Sequence, residues 1–229
     1  ASLSGHTNEV NCICFSADGC KIVTGSLDNF VKVWDAETYK LIKTLAYKSH
    51  VKSVCFSPTD GLSILASGGY DTPYIFKDYE NTDGETIMLH GHTNWVEASC
   101  FSSDGLNVMT GSWDNTAKVW DSTTGQEILT LTGHTSHVSA VAFSPDDRHV
   151  LTGSANGTAK LWDAESGHII KTIQGHEKAV NSVSFSFPRG HQILTAGTDG
   201  LVKLWDTDNL LSGDEVMTLL CDEDQPIYS

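Results

Sequence analysis

Apolar and polar residues alternate along this chain in short bursts, a period of two that predicts β-strands. In one stretch the bursts run Val96–Phe101, Leu106–Thr110, Thr116–Trp120 and Glu127–Leu131, each rich in β-branched or aromatic residues. Turn residues fall between them. Asp18-Gly19, Asp60-Gly61 and Asp104-Gly105 follow a first strand, and Asp28-Asn29, Asp114-Asn115, Asn156-Gly157 and Asp199-Gly200 follow a second. These residues accept positive φ at low cost, as tight hairpins require. The whole pattern then recurs. A valine series (Val10, Val51, Val96, Val138, Val180) is shadowed by a phenylalanine series (Phe15, Phe56, Phe101, Phe143, Phe185) with steps of 41, 45, 42 and 42 residues. Self-similarity at such a period marks a repeat architecture, here five repeats of four strands.

Gly5-His6, Gly91-His92, Gly133-His134 and Gly175-His176 open four of the repeats, and Trp34-Asp35, Trp120-Asp121, Trp162-Asp163 and Trp205-Asp206 close a later strand at matched offsets. These motifs and their spacing, over essentially the whole chain, resemble WD (WD40) repeats. The resemblance implies an all-β fold, a β-propeller of four-stranded antiparallel blades set radially about a channel. Repeat boundaries fall near residues 5–45, 46–90, 91–132, 133–174 and 175–220, with 221–229 starting a further repeat. Ala1–Ser4 aligns with Leu129–Thr132, the tail of an outer strand, and Pro226–Ser229 aligns with Ala179–Ser182. Five complete blades from a larger ring, of about seven by the habit of the family, are therefore expected.

The resemblance also implies a buried tetrad in each blade, made of His, Ser or Thr, Asp and Trp. By position these are His6, Thr24, Asp28 and Trp34; His92, Thr110, Asp114 and Trp120; and His176, Thr195, Asp199 and Trp205. In the fourth repeat His134, Thr152 and Trp162 match, but Asn156 replaces the Asp, which makes the bond to the His neutral and weaker. The second repeat departs most. Ala46-Tyr47 stands where Gly-His belongs, the Trp position reads as Lys77 with Phe76 beside it, and only Ser67 and Asp71 remain. Blades touch mainly their neighbours, so this blade is expected to open most easily.

Composition narrows the function. Against 14 Lys+Arg stand 29 Asp+Glu, a net charge of −15 that repels a duplex or an anionic membrane, so no direct nucleic-acid or membrane partner is expected. The six cysteines form no C-x-x-C pair, and Cys14, Cys55 and Cys100 share a strand position with Ala142 and Ser184. They read as small packed residues, which implies reduced thiols, an intracellular and specifically cytoplasmic setting, and neither metal nor cofactor. A Ser/Thr, His and Asp together resemble a hydrolase triad, yet a catalytic site occurs once while this constellation recurs blade after blade. No enzymatic activity and no small-molecule substrate are expected. Lys32, Lys118, Lys160 and Lys203 alternate with apolar residues and read as a solvated strand face.

Ligands of this family meet the top face around the channel. The corresponding positions here are Glu9, Asn11 and Leu27; His50, Lys52 and Tyr70; Trp95, Glu97 and Trp113; His137, Ser139 and Ala155; and Ala179, Asn181 and Thr198. Trp95 and Trp113 are the two of six tryptophans outside the repeat-end Trp-Asp motifs. With Tyr70, His50, Glu97 and Glu9 they make the candidate site for a partner peptide or loop carrying an Arg or Lys. The alternative is that the rings pack on one another and bind nothing. The resemblance implies a protein-interaction scaffold within a multi-subunit assembly. A recognition arm of a larger signalling protein, such as an apoptosome-like sensor or a ubiquitin-ligase substrate receptor, is the second reading, and a propeller enzyme the third.

Overall fold

The computed structural model describes residues 2–70, 72–81, 84–206 and 215–220. It forms five four-stranded antiparallel sheets, each a meander in which consecutive strands pair. Blade 1 comprises β1 (Val10–Phe15), β2 (Lys21–Ser26), β3 (Phe30–Asp35) and β4 (Leu41–Ala46). Blade 2 comprises β5 (Ser53–Phe56), β6 (Ile64–Ser67), β7 (Tyr74–Phe76) and β8 (Thr86–Met88). Blade 3 comprises β9 (Val96–Phe101), β10 (Asn107–Ser112), β11 (Ala117–Asp121) and β12 (Glu127–Leu131). Blade 4 comprises β13 (Val138–Phe143), β14 (His149–Ser154), β15 (Thr158–Asp163) and β16 (Ile169–Gln174), and blade 5 β17 (Val180–Phe185), β18 (Gln192–Gly197), β19 (Leu201–Asp206) and β20 (Glu215–Leu220). In blade 3 the observed strands match the alternation read from the chain to within two residues. Residues 221–229 and Asp71 lie outside the described residues, so the start of a sixth repeat and the second-repeat Asp are not placed.

The inner strands touch in the series β1, β5, β9, β13, β17, which stacks the blades side by side with the apolar core between them. Val23, Val31 and Val33 of blade 1 interlock with Val51, Val54 and Phe56 of blade 2. The same scheme recurs at each junction: Leu65 and Ile75 meet Val108 and Trp120, Met109 and Val119 meet Val138 and Trp162, and Leu151 and Leu161 meet Val180 and Trp205. Burying each such side chain contributes about 1.5–3 kcal/mol, so the junctions supply much of the stability. The outer faces of blades 1 and 5 are less covered. Phe15 is 60% exposed where its counterpart Phe56 is 5% exposed, and Leu194 is 41% exposed where Leu151 is wholly covered.

Local sequence sets the turns. The second-to-third-strand hairpins turn on Asn29, Asn115, Gly157 and Gly200 with φ of 69°, 70°, 83° and 81°. At the opposite end the first-to-second-strand turns use Gly19, Gly61, Gly105 and Gly190, but blade 4 puts Asp147 there at φ 57°. That conformation is costly for a residue with a Cβ. It is offset by the Asp147 carboxylate, which accepts the backbone N–H groups of Ser103 (2.7 Å) and Asp104 (3.0 Å) in blade 3 and so clasps the two turns together.

Blade 2 differs from the pattern read in its sequence. Its register pairs Ile64 with Phe76 and Ala66 with Tyr74, as Ile22 pairs with Trp34 and Thr24 with Lys32 in blade 1. Phe76, not Lys77, therefore fills the Trp place, and Ala66, not Ser67, fills the Thr place. Ser67 is turned to the next blade, where its hydroxyl donates to Ser99 Oγ at 2.9 Å. Aromatic packing replaces the lost bonds: Tyr47, at the His place, donates to the Thr72 carbonyl (3.1 Å) and meets Tyr74 edge-on at 4.8 Å. The lysines also depart from expectation. Lys32, Lys118, Lys160 and Lys203 are buried, with Nζ donating to Thr44, Thr130, Thr172 and Thr218 on the neighbouring outer strand. Their stems fill space between strands while their heads find hydroxyls, which alternation alone does not reveal.

With β7 and β8 only three residues each and no tetrad behind them, their amides should exchange before those of β11 and β12. Hydrogen exchange read by mass spectrometry on the intact chain checks this; equal protection of the two outer strand pairs would contradict it.

Candidate functional site

The tetrads assemble around a threonine hub. In blade 3, Thr110 Oγ1 lies 2.7 Å from His92 Nε2 and accepts the Trp120 indole N–H at 2.8 Å, while His92 Nδ1 lies 2.7 Å from Asp114. Blade 1 repeats this with His6–Asp28 at 2.8 Å, His6–Thr24 at 2.7 Å and Trp34–Thr24 at 2.9 Å. Blade 5 does so with His176–Asp199 at 2.9 Å, His176–Thr195 at 2.8 Å and Trp205–Thr195 at 3.0 Å. A carboxylate only accepts, so Nδ1 carries the proton, the hydroxyl donates to Nε2, and the hydroxyl oxygen is left to accept from the indole. Every donor in this relay has one acceptor. The preceding glycine is required by proximity: a Cβ on Gly91 would lie 3.0 Å from the Trp120 ring, and one on Gly175 would lie 2.6 Å from Trp205. In blade 2, where Phe76 replaces the larger indole, Ala46 is tolerated.

Blade 4 is the variant. His134 Nε2 keeps Thr152 at 2.7 Å and Trp162 keeps Thr152 at 2.8 Å, but Asn156 turns its amide to Thr135 and leaves His134 Nδ1 only Thr158 Oγ1 at 3.4 Å. Electrostatics follow. Burial, helped by the charge on Lys160, pushes His134 down to about 4 from 6.5. Burial also lowers His92, with Asp114 opposing it. For Asp114 burial works upward, yet hydrogen bonds from Thr116 and His92 outweigh it and hold the carboxyl below its ordinary value.

The top-face positions read from the sequence lie at the ends of the inner strands. In four blades a backbone bond ties the two top positions: Leu27 to Glu9, Trp113 to Trp95, Ala155 to His137 and Thr198 to Ala179. Tyr70, Trp95 and Trp113 come together with His137 in one row. Tyr70 meets Trp95 edge-on at 5.1 Å, Trp95 stacks on Trp113 at 5.2 Å, and Trp113 stacks on His137 at 4.9 Å. Glu97 joins them by accepting the Trp113 indole N–H at 2.6 Å. His50 and Glu9 stand apart from this row. His50 Nδ1 lies 3.0 Å from the Leu27 carbonyl, and Leu27 is tied to Glu9, so these two belong to the junction of blades 1 and 2.

Both faces of Trp113 are thus covered by rings, which leaves its edge open at 41% exposure, while Tyr70 is 80% exposed. A cation cannot lie on the Trp113 face; the accessible groups are the Tyr70 ring, the Trp113 edge and the Glu97 carboxylate. His137 was legible as a top position three residues beyond His134, but only the fold shows its ring against blade 3. The turn end of the molecule carries a separate cleft of about 650 Å³ between blades 3 and 4, beside Asp147 and Phe143. Among the described residues there is no group of three His, Cys, Asp or Glu side chains able to hold a metal, and no helix long and apolar enough to cross a membrane.

Repeated four-stranded blades, stacked by their inner strands and braced by a His–Thr–Trp relay, define a β-propeller protein of the Trp-Asp repeat type. The chain belongs to the WD domain, G-beta repeat family (WD40), which it matches over residues 1–35, 39–72, 84–121, 125–163 and 167–206. Among curated proteins it is similar to a serine-threonine kinase receptor-associated protein of Gallus gallus, 32% identical over 124 residues that cover 54% of this chain and 35% of the relative. It is also similar to a U3 small nucleolar RNA-associated protein 15 homolog of Gallus gallus, 32% identical over 126 residues, with 54% of this chain and 23% of the relative covered. A CCR4-associated factor 4 homolog of Vanderwaltozyma polyspora is 30% identical over 139 residues, 54% of this chain and 20% of the relative. The match therefore spans about a third or less of each relative's length.

Two outcomes follow from the relay. Replacing Thr110 with Val should cost about 2–4 kcal/mol, because it strands both the His92 and the Trp120 ring nitrogens in a buried place; urea unfolding measures it. Replacing Asn156 with Asp should add about 1 kcal/mol and raise the His134 pKa from its present value of about 4. Because His134 is depressed in the folded chain, its contribution is complete above pH 6.5 and is lost as pH falls from 6.5 towards 4, where the unfolded chain takes up the proton first. The Asn156→Asp chain should accordingly lose less stability between pH 7 and pH 5 than the parent; an unchanged difference would contradict the assignment.

Proposed function

We propose that this chain is a non-enzymatic scaffold that binds a peptide or loop of another protein on the top face of blades 2 to 4, within a multi-subunit assembly. The observation that carries the reading is the row Tyr70, Trp95, Trp113 and His137, which crosses three blades at an exposed strand end. Large aromatic groups held rigid by neighbours and ringed by polar residues are what binding hot spots consist of. Family membership supports an interaction role, and the three relatives are named for association with a receptor, an RNA and CCR4. Against direct nucleic-acid contact here stands the net charge of −15.

The absence of catalysis belongs to the same proposal. The His, Thr and Asp that mimic a triad are consumed in bracing indoles and recur in three blades, so no single hydroxyl is set apart as a nucleophile. An intracellular, reducing setting is supported by the five free cysteines among the described residues. Burial pushes the Cys12 and Cys100 thiols up to about 12, which leaves them protonated and inert.

Affinity capture from a cell extract, comparing the parent chain with a Trp95→Ala, Trp113→Ala double variant, tests the site. Loss of discrete partners with an unchanged melting temperature is the expected result. Partners retained by the folded double variant would move the binding surface elsewhere, and unfolding of both single variants would show that the rings serve only to cap strands.

A further inference from the structure

One position breaks the repeat at the top face. The residue after each valine of the repeat series is Asn11, Lys52, Glu97, Ser139 and Asn181, so four of the five carry a hydrogen-bond donor and one carries a carboxylate. Two of the donors have a visible structural task. Asn11 Nδ2 donates to the carbonyl of Val51 in the following blade at 3.1 Å, and the Ser139 hydroxyl donates to the carbonyl of Val180 in the following blade. Each ties one inner strand to the next across a junction.

By the same equivalence the Val138 carbonyl is the group that a donor at position 97 would meet, and that position holds Glu97. Two acceptors cannot bond, and Glu97 is held in place from the other side, by the Trp113 indole N–H at 2.6 Å. Trp113 in turn lies on the ring of His137, the residue before Val138, at 4.9 Å. The relay Glu97–Trp113–His137 therefore fixes a carboxylate beside the start of β13, where its sister blades place a donor. Glu97 is part-exposed, so a group from outside can reach it.

We infer that the rim between blades 3 and 4 takes the cationic head of a lysine or arginine side chain from a partner protein, which bridges the Glu97 carboxylate and the Val138 carbonyl. The incoming donor completes the junction that blades 1 and 4 complete with their own side chains. An ammonium or guanidinium offers several N–H donors and the opposite charge, and it satisfies both acceptors at once. The apolar stem lies along the open edge of Trp113. This rests on the top-face reading proposed above and supplies its chemistry.

Two-dimensional NMR of the intact, nitrogen-15-labelled chain tests it, with the indole N–H of Trp113 as reporter, assigned through Trp113→Phe. Acetyl-Gly-Arg-Gly-amide and acetyl-Gly-Lys-Gly-amide are the probes, and acetyl-Gly-Gln-Gly-amide is the neutral control. The expected result is a saturable shift with the charged peptides, weakened by salt, and none with the control. The key variant is Glu97→Gln, since Gln keeps an acceptor for Trp113 and adds a donor for Val138. It should melt at or above the parent temperature and bind the charged peptides about tenfold or more weakly. Equal shifts from the neutral peptide, undiminished binding by folded Glu97→Gln, or no shift at peptide concentrations of about 10 mM would each overturn the inference. A partner captured by the parent, lost in the Trp95/Trp113 double variant and kept by Glu97→Gln would leave the scaffold reading standing and remove this one.

Discussion

A threonine hydroxyl that accepts an indole N–H while donating to an imidazole is the interaction on which the rest of this structure depends. In blades 1, 3, 4 and 5 it fixes a buried tryptophan inside its own sheet. In blades 3, 4 and 5 that same ring is the wall against which the preceding blade packs. Intrablade bonding and interblade packing are thus the same event. A hydroxyl shifted by an ångström would leave both an orphaned donor and a badly seated ring. The glycines before His6, His92 and His176 belong to this constraint, because the indole occupies the space a Cβ would need, while before His134 the nearest group is Ile169.

Blade 2 shows how the constraint is relaxed. Removing the indole removes the need for the glycine, the hydroxyl and the imidazole together, and Phe76, Ala46, Ala66 and Tyr47 appear in their places. Edge-to-face aromatic contacts among Tyr47, Tyr74 and Phe76 then hold the sheet by dispersion and burial instead of by a directed relay. The substitution is coherent as a set and would be destabilising piecemeal.

On the top face the repeat is broken in blade 3 in the other sense, by adding polar and aromatic groups that take no part in the tetrad. Trp95 and Trp113 stack across the strand end and reach His137 of the next blade, while the indole of Trp113 holds Glu97. The stack holds the rings against one another, which would lower the entropy lost in the docking proposed above. It also uses the Trp113 faces, so the proposed docking would fall to edges, the Tyr70 ring and the carboxylate.

Strand alternation, hairpin residues and the recurrence of Gly-His and Trp-Asp determined the all-β blades and three complete tetrads, because period and turn chemistry are local and each repeat confirms the others. The charge excess and the two extra tryptophans were equally plain. What only tertiary structure decided were matters of register and contact. Asp71 stands five residues beyond Ala66 where Asp28 stands four beyond Thr24, so counting from the Asp gives Ser67 and Lys77, and only strand pairing puts Ala66 and Phe76 in the tetrad places. The lysines of the third strands proved buried because a neighbouring strand offers each a threonine. His50 and Glu9 fell to another junction, and His137 joined the aromatic row, since side chains from different blades meet only once the sheets are stacked.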